Sequence, residues 1–92
     1  MRGVIVGGNE CMTRRYMELC KQYNCRAKVF PLMNGEMRDF GCPELLVLFT
    51  GTVSHKMVRS AMSRVDHTRT RVVRSHSGSM SALRSIMNEH FG

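Results

Sequence analysis

The stretch LLVLFTGTVSHK, Leu45–Lys56, decides the fold, because five consecutive apolar residues stop abruptly in small polar residues and a histidine. An apolar run without alternation is typical of a strand buried on both faces, as found in parallel sheets with helices on either side. In open α/β sheets, ligands bind beyond the carboxyl ends of the strands. The segment from Thr50 to Lys56 therefore lies where a binding site is expected.

The N-terminal part predicts a strand, a helix and a second strand. Val4–Val6 is apolar and breaks into Gly7-Gly8-Asn9, a glycine turn with Asn9 as N-cap. A helix is predicted from Asn9 to about Asn24, and Arg26–Phe30 follows as a short edge strand that ends before Pro31. The apolar residues of the helix recur with a 3.6-residue period, at Met12, Tyr16, Leu19, Cys20 and Tyr23.

The remaining chain predicts a crossover, two helices and one more strand. Leu32–Pro43 is long enough for a parallel crossover, with a single helical turn at Glu36–Phe40. A helix is predicted over Ser54–Asp66, capped by Thr52 or Ser54, and Arg71–Arg74 is the fourth strand. Apolar residues mark a last helix at Met80, Leu83, Ile86, Met87 and Phe91.

This order of elements predicts one α/β domain over residues 1–92. Right-handed crossovers arrange the strands most simply as a four-stranded parallel sheet of order 2-1-3-4, with Val4–Val6 and Leu45–Phe49 at its centre. Helices would cover both faces, giving a small three-layer domain of the Rossmann-like or flavodoxin-like kind. Ninety-two residues leave no room for a second domain.

The composition favours anionic partners and a cytoplasmic location. Fourteen Lys and Arg against seven Asp and Glu give a net charge of +7. Few aromatic residues, no basic arm and no helix-turn-helix pattern argue against nucleic acid. No secretory signal and no membrane-spanning run are seen, so the four cysteines are expected as thiols, three of them packing in the core.

Polar loops follow three of the predicted strands, at Gly7–Asn9, Thr50–Lys56 and Arg74–Ser79. In the predicted order these loops are neighbours, and each leads into a helix N-terminus that attracts anions. His55 and His76 lie in two of them, so each is either a ligand or a residue that hydrogen-bonds its own loop. His67 and His90 lie toward helix C-termini, where a histidine interacts favourably with the helix dipole and no ligand is needed to explain it.

The common catalytic motifs are absent. There is no G-x-G-x-x-G, no phosphate-binding P-loop and no C-x-x-C pair. Cys11 lies near a helix start, but no arginine follows six residues later, as a phosphatase loop requires. Serines at 54, 75, 77 and 79 are caps or turn formers without a carboxylate for a triad. An enzyme is therefore the least favoured class.

The segments VIVGGNE, LFTGTVSHKM and VVRSHSGSMSAL resemble a short bacterial family catalogued as a domain of unknown function. The likeness covers nearly the whole chain, although Gly78 replaces the usual serine. The resemblance implies a small cytoplasmic haemoprotein that binds oxygen. The residues that match the family pattern are Gly7, Gly8, Thr52, Ser54, His55, Lys56, Arg74, Ser75, His76 and Ser77.

The residues of the chain are compatible with haem binding, since haem needs an imidazole or soft ligand, an apolar slot and cations for its propionates. His76, slightly favoured, or His55 would ligate the iron. A domain this small cannot enclose a porphyrin, so the slot would form on a face or between two protomers, and a homo-oligomer is expected. The alternative is a regulatory domain that binds an anion or phosphate ligand with the same loops. The candidate binding residues are His55, His76, Lys56, Arg74, Ser75, Ser77, Thr52, Ser54, Gly8, Arg14 and Arg15.

Overall fold

A computed structural model describes residues 1–30 and 41–91 of the chain. The predicted crossover Leu32–Pro43, with its helical turn at Glu36–Phe40, falls mostly outside these residues. No helix in the described ranges is long and apolar enough to cross a membrane. The elements in chain order are β1 (Arg2–Gly7), a 3-10 turn (Glu10–Met12), α1 (Thr13–Gln22), β2 (Arg26–Phe30), β3 (Leu45–Phe49), α2 (His55–Ser63), β4 (Arg71–Ser75) and α3 (Met80–Phe91).

The four strands form one parallel sheet in the order β2-β1-β3-β4, which confirms the predicted topology. β1 and β3 are the central strands, with Ile5 opposite Val47 and Val47 opposite Val73. Because all strands run in the same direction, the loops after β1, β3 and β4 leave the sheet at one edge. This carboxyl edge is where the three polar loops meet.

The residues of β3 alternate between two apolar layers, which confirms that this strand is buried on both faces. Leu45, Val47 and Phe49 pack with residues of α1 and α3 on one face. Leu46 and Leu48 pack with residues of α2 on the other face. All five side chains are 2% exposed or less. The domain therefore has three layers, as predicted.

The first helix differs from its prediction at both ends. Asn9 is the N-cap, as predicted, but its side chain accepts the Cys11 N–H (2.9 Å) to begin a 3-10 turn, and α1 starts only at Thr13. At the other end α1 stops at Gln22, because Asn24 adopts a left-handed conformation with φ of 58°. Asparagine tolerates that conformation better than most residues, so it ends the helix.

The second helix is shorter than predicted because Asp66 forms a turn instead of extending it. Ser54 is the N-cap, and its Oγ accepts the Met57 N–H (3.2 Å). α2 ends at Ser63. Asp66 Oδ1 then accepts the N–H and the hydroxyl of Thr68, at 2.9 and 2.6 Å, and these hydrogen bonds lower the pKa of Asp66.

The four cysteines are free thiols, as predicted, but their burial differs from the prediction. Cys20 and Cys25 are buried, whereas Cys11 and Cys42 are exposed, so two and not three of them pack. Cys11 precedes the first full turn of α1 and lies outside its buried stripe.

Candidate functional site

Direct hydrogen bonds join the three loops at the carboxyl edge of the sheet. The Gly8 N–H donates to Thr52 Oγ1 (2.7 Å), which links the loop after β1 to the loop after β3. The N–H groups of Thr50 and Gly51 donate to the carbonyl oxygens of Ser75 and His76, at 2.8 and 3.2 Å. These hydrogen bonds confirm the prediction that the three loops are neighbours.

Tyr16 of α1 connects the first and third loops through its hydroxyl group. The hydroxyl donates to the Gly78 carbonyl (2.5 Å) and accepts the Asn9 N–H (3.2 Å). Its ring is fully buried and lies 5.5 Å from the Phe49 ring, centroid to centroid. Sequence reasoning placed Tyr16 only in the apolar stripe. The residue type alone gave a reason to expect a polar contact, because a buried tyrosine hydroxyl requires a hydrogen-bond partner.

Two consecutive glycines let the first loop approach Tyr16 and Phe49. Gly7 and Gly8 have φ of 91° and 87°, which side chains rarely adopt. A Cβ on Gly8 would lie 2.8 Å from Cε2 and from the hydroxyl oxygen of Tyr16, and 3.0 Å from Phe49. The glycine turn is therefore required both by backbone conformation and by space.

His76 is exposed, and its ring lies against the backbone of Gly51. A Cβ added to Gly51 would lie 3.1 Å from Cε1 and 3.2 Å from Nδ1 of His76, and it would also meet the His76 carbonyl oxygen. Nε2 is the ring nitrogen farther from this backbone. Because Gly51 has no side chain, the imidazole of His76 has space beside it. The imidazole is exposed and therefore accessible to a ligand.

His55 is the first residue of α2 and is also exposed. Its position follows directly after the N-cap Ser54, so the helix start holds its backbone in place. Lys56, the next residue, is exposed in the same turn. The structure therefore presents two imidazoles at the carboxyl edge, one on a loop and one on a helix.

The hydroxyl groups predicted at the site are engaged in local hydrogen bonds. Thr52 Oγ1 accepts from Gly8 and donates to the Phe49 carbonyl (3.1 Å). Ser75 Oγ donates to the Ser77 carbonyl (2.9 Å), and Ser77 Oγ accepts the Ser79 N–H (3.2 Å). These residues shape the loops, and their contact with a ligand remains a prediction.

The predicted cations do not converge on the two histidines. Arg74 Nη2 donates to Met62 Sδ (3.0 Å), so this guanidinium lies against α2. Arg14 lines a groove of about 1180 Å³ between α1 and β2. Arg15 is exposed on α1. Of the four predicted cations in the described residues, Lys56 alone lies beyond a strand end at this edge, in the first turn of α2, because Arg74 is still part of β4 and Arg14 and Arg15 are on α1.

The other two histidines lie near helix ends, as predicted. His67 Nε2 lies 2.9 Å from the Met62 carbonyl oxygen, near the end of α2. His90 lies in the last turn of α3. Within residues 1–30 and 41–91, no cluster of three or more His, Cys, Asp or Glu side chains is arranged to hold a metal ion. Haem iron takes only one or two ligands from protein, so single imidazoles stay candidates.

Comparison with known proteins gives the family of the chain. A search of curated proteins and a search of solved structures found no match. A family model described as an uncharacterized protein conserved in bacteria (DUF2325) matches residues 3–90. The match covers nearly the whole chain and agrees with the resemblance to a short bacterial domain of unknown function. The chain therefore belongs to this family of uncharacterized bacterial proteins, DUF2325.

Proposed function

We propose that this protein binds haem through a histidine at the carboxyl edge of the sheet, and that it binds or senses oxygen. The proposal depends on the exposed imidazole of His76. This imidazole lies beside Gly51, at the point where the loops after β3 and β4 are hydrogen-bonded to each other. The resemblance to the short bacterial domain family, which implies a small haemoprotein, supports the same function. Haem, if bound there, would supply an iron able to take up a diatomic gas.

His76 is the preferred iron ligand, and His55 is the second candidate. The loop Ser75–Gly78 can present an imidazole outward, whereas His55 is held in the first turn of α2. The histidine that does not ligate, or Lys56, would donate a hydrogen bond to the bound gas. Cations would pair with the propionates; Lys56 directly follows His55 in the chain, and Arg74 is two residues before His76.

A single domain of this size can supply only part of an apolar slot for a porphyrin at the carboxyl edge. Two grooves of the described residues lie away from this edge, one of about 1180 Å³ along α1 and β2 and one of about 320 Å³ near Arg2 and Lys28. A domain of 10.5 kDa has little apolar volume to spare. We propose that the edge of a second protomer completes the apolar slot.

The alternative, an anion or phosphate ligand, is less well supported by the hydrogen bonds of the loops. Phosphate loops bind through free backbone N–H groups. Here many of these groups already donate to acceptors within the protein, which leaves side chains as the main ligand-contacting groups. The N–H groups engaged in this way are those of Gly8, Asn9, Cys11, Thr50, Gly51, Thr52, Met57 and Ser79.

Haem titration of three alanine variants tests the proposal. His76→Ala should lose the Soret position of the wild type and the oxygen uptake of the reduced protein. Its haem affinity should fall about tenfold or more, since even loss of a group supporting a ligand costs roughly 10–100-fold. His55→Ala should retain the Soret position, and His67→Ala is the matched control, because His67 contacts the Met62 carbonyl away from the loops.

Three results would change the proposal. If His55→Ala loses the wild-type Soret position and oxygen uptake while His76→Ala keeps both, His55 is the ligand. Identical spectra for all three variants would exclude a histidine ligand and direct attention to Cys42 or a methionine. If the wild type takes up no haem, phosphate binding measured by calorimetry becomes the test of the anion alternative.

The oligomer prediction has its own measurement. Sedimentation at micromolar concentration should give a dimer or larger assembly of the 10.5 kDa chain when haem is present. The physical reason is that two edges together can enclose a porphyrin that one small domain leaves exposed. The apoprotein is the control. A monomer both with and without haem would contradict the shared slot.

A further inference from the structure

The turn between α1 and β2 brings two cysteines together. The Cys25 N–H donates to the Cys20 carbonyl and the Asn24 N–H to the Lys21 carbonyl, each at 3.0 Å. Asn24 has φ of 58° between them. These features define a Schellman motif, in which the residues at its two ends commonly pack side chain against side chain. Here both of those residues are cysteines.

The two side chains belong to the same buried cluster, and each thiol shifts the pKa of the other. The Cys20 thiol donates to Cys25, and together with burial this raises the pKa of Cys20 far above its ordinary range. The same hydrogen bond, with the N-terminal ammonium group, lowers the pKa of Cys25. That ammonium group lies close by, since it donates to the Asn24 carbonyl (3.3 Å). Because Cys25 also lines the groove between α1 and β2, and Cys20 is not among its lining residues, Cys25 is assigned as the nucleophile of the pair.

Cys25 also lies beside open space, although little of its surface is exposed. It lines the groove of about 1180 Å³ between α1 and β2. Arg14, Lys21 and Arg26 line the same groove with two carboxylates, Glu10 and Glu18, so positive charge is in excess. A small anionic molecule can enter such a groove and be attracted there.

We propose that Cys20 and Cys25 form a thiol–disulfide exchange site that reacts with low-molecular-weight anionic disulfides. The Cys25 thiolate attacks one sulfur of the disulfide, whose S–S bond breaks and releases one thiolate. Cys20 gives its proton to this first thiolate and attacks the Cys25 sulfur; the bond from Cys25 to the small molecule breaks and releases the second thiolate, which takes up from water the proton that Cys25 had lost. Two protein thiols and one disulfide thus give one protein disulfide and two small thiols.

Peptide mapping of the oxidised protein tests the proposal. The probe is glutathione at a series of oxidised-to-reduced ratios, applied to a Cys11→Ser/Cys42→Ser variant whose fold is followed by circular dichroism. Free thiols are alkylated before trypsin digestion. Lys21 separates the two cysteines, so a disulfide joins the otherwise separate peptides Tyr16–Lys21 and Gln22–Arg26. We expect these linked peptides from protein that remains folded.

Single cysteine variants in the same background assign the roles. With Cys20→Ala, Cys25 should accumulate a mixed disulfide with glutathione, because no second thiol resolves it. With Cys25→Ala, Cys20 should react on the order of tenfold or more slowly, since its thiol is buried and not activated. The far-ultraviolet spectrum of each variant shows whether it has folded.

Two outcomes would overturn the proposal. In the first, both peptides are recovered alkylated and unlinked at every glutathione ratio while the protein stays folded. In the second, linkage appears only together with loss of the circular dichroism signal, which would place the reaction in the unfolded chain. Wild-type protein shows in addition whether exposed Cys11 or Cys42 reacts instead, since each lies in a tryptic peptide of its own.

Discussion

Val47→Asp is expected to leave the protein unfolded at room temperature. Val47 is 1% exposed at the centre of β3, between Ile5 of β1 and Val73 of β4. A carboxylate buried there without a partner costs several kcal/mol, and a domain is stabilised by only about 5–15 kcal/mol in all. Circular dichroism and thermal unfolding of the purified variant measure the loss.

The matched control is an aspartate at an exposed position of a neighbouring strand. Arg71 is exposed at the start of β4, opposite Leu45, so Arg71→Asp should change the melting temperature little. Cooperative unfolding of Val47→Asp at the wild-type temperature would contradict the burial of β3 on both faces.

Gly8→Ala is expected to destabilise the protein by about 2–5 kcal/mol. An L-residue with φ near 87° costs roughly 1–2 kcal/mol, and overpacking against the Tyr16 ring adds about 1–3 kcal/mol. For a chain of this length the melting temperature should fall by roughly 10 °C or more. Differential scanning calorimetry of the apoprotein gives the value without reference to any ligand.

Gly41→Ala separates the two causes of that loss. Gly41 has φ of 63°, but a Cβ there would meet only Arg2, at 3.8 Å. This variant therefore carries the backbone strain without the clash, and it should lose about 1–2 kcal/mol. Equal losses in the two variants would show that the clash of the added Cβ with Tyr16 adds nothing to the cost of the backbone strain.

The sheet was predictable because its strands are short apolar runs whose burial shows directly in the sequence. Leu45–Phe49 has no polar residue, which indicates contact with apolar layers on both faces. Helix ends were less predictable, since they depend on local hydrogen bonds. Asp66 continues the polar pattern of a helix surface, yet its carboxylate binds Thr68 and the helix has already ended.

The site was predictable in position but not in its contacts. Strand order places His55 and His76 at one edge, and this follows from the sequence through the topology. The Tyr16 hydroxyl on Gly78 and the Arg74 guanidinium on Met62 depend on how separate elements pack. Periodicity identifies which face of an element is buried, but it does not specify the partner of a particular polar atom.

The strand order has a consequence for synthesis on the ribosome. β1 is made first but lies inside the sheet, with β2 on one side and β3 on the other. Until residue 49 has left the exit tunnel, one edge of β1 has no neighbour, and Val4 and Val6 lack the residues of β3 with which they pack. The loops of the candidate site close later still, because Tyr16 must wait for Gly78, 62 residues further along the chain. A nascent chain stalled between these points would expose an unpaired apolar strand, the kind of surface that chaperones bind and that aggregates readily.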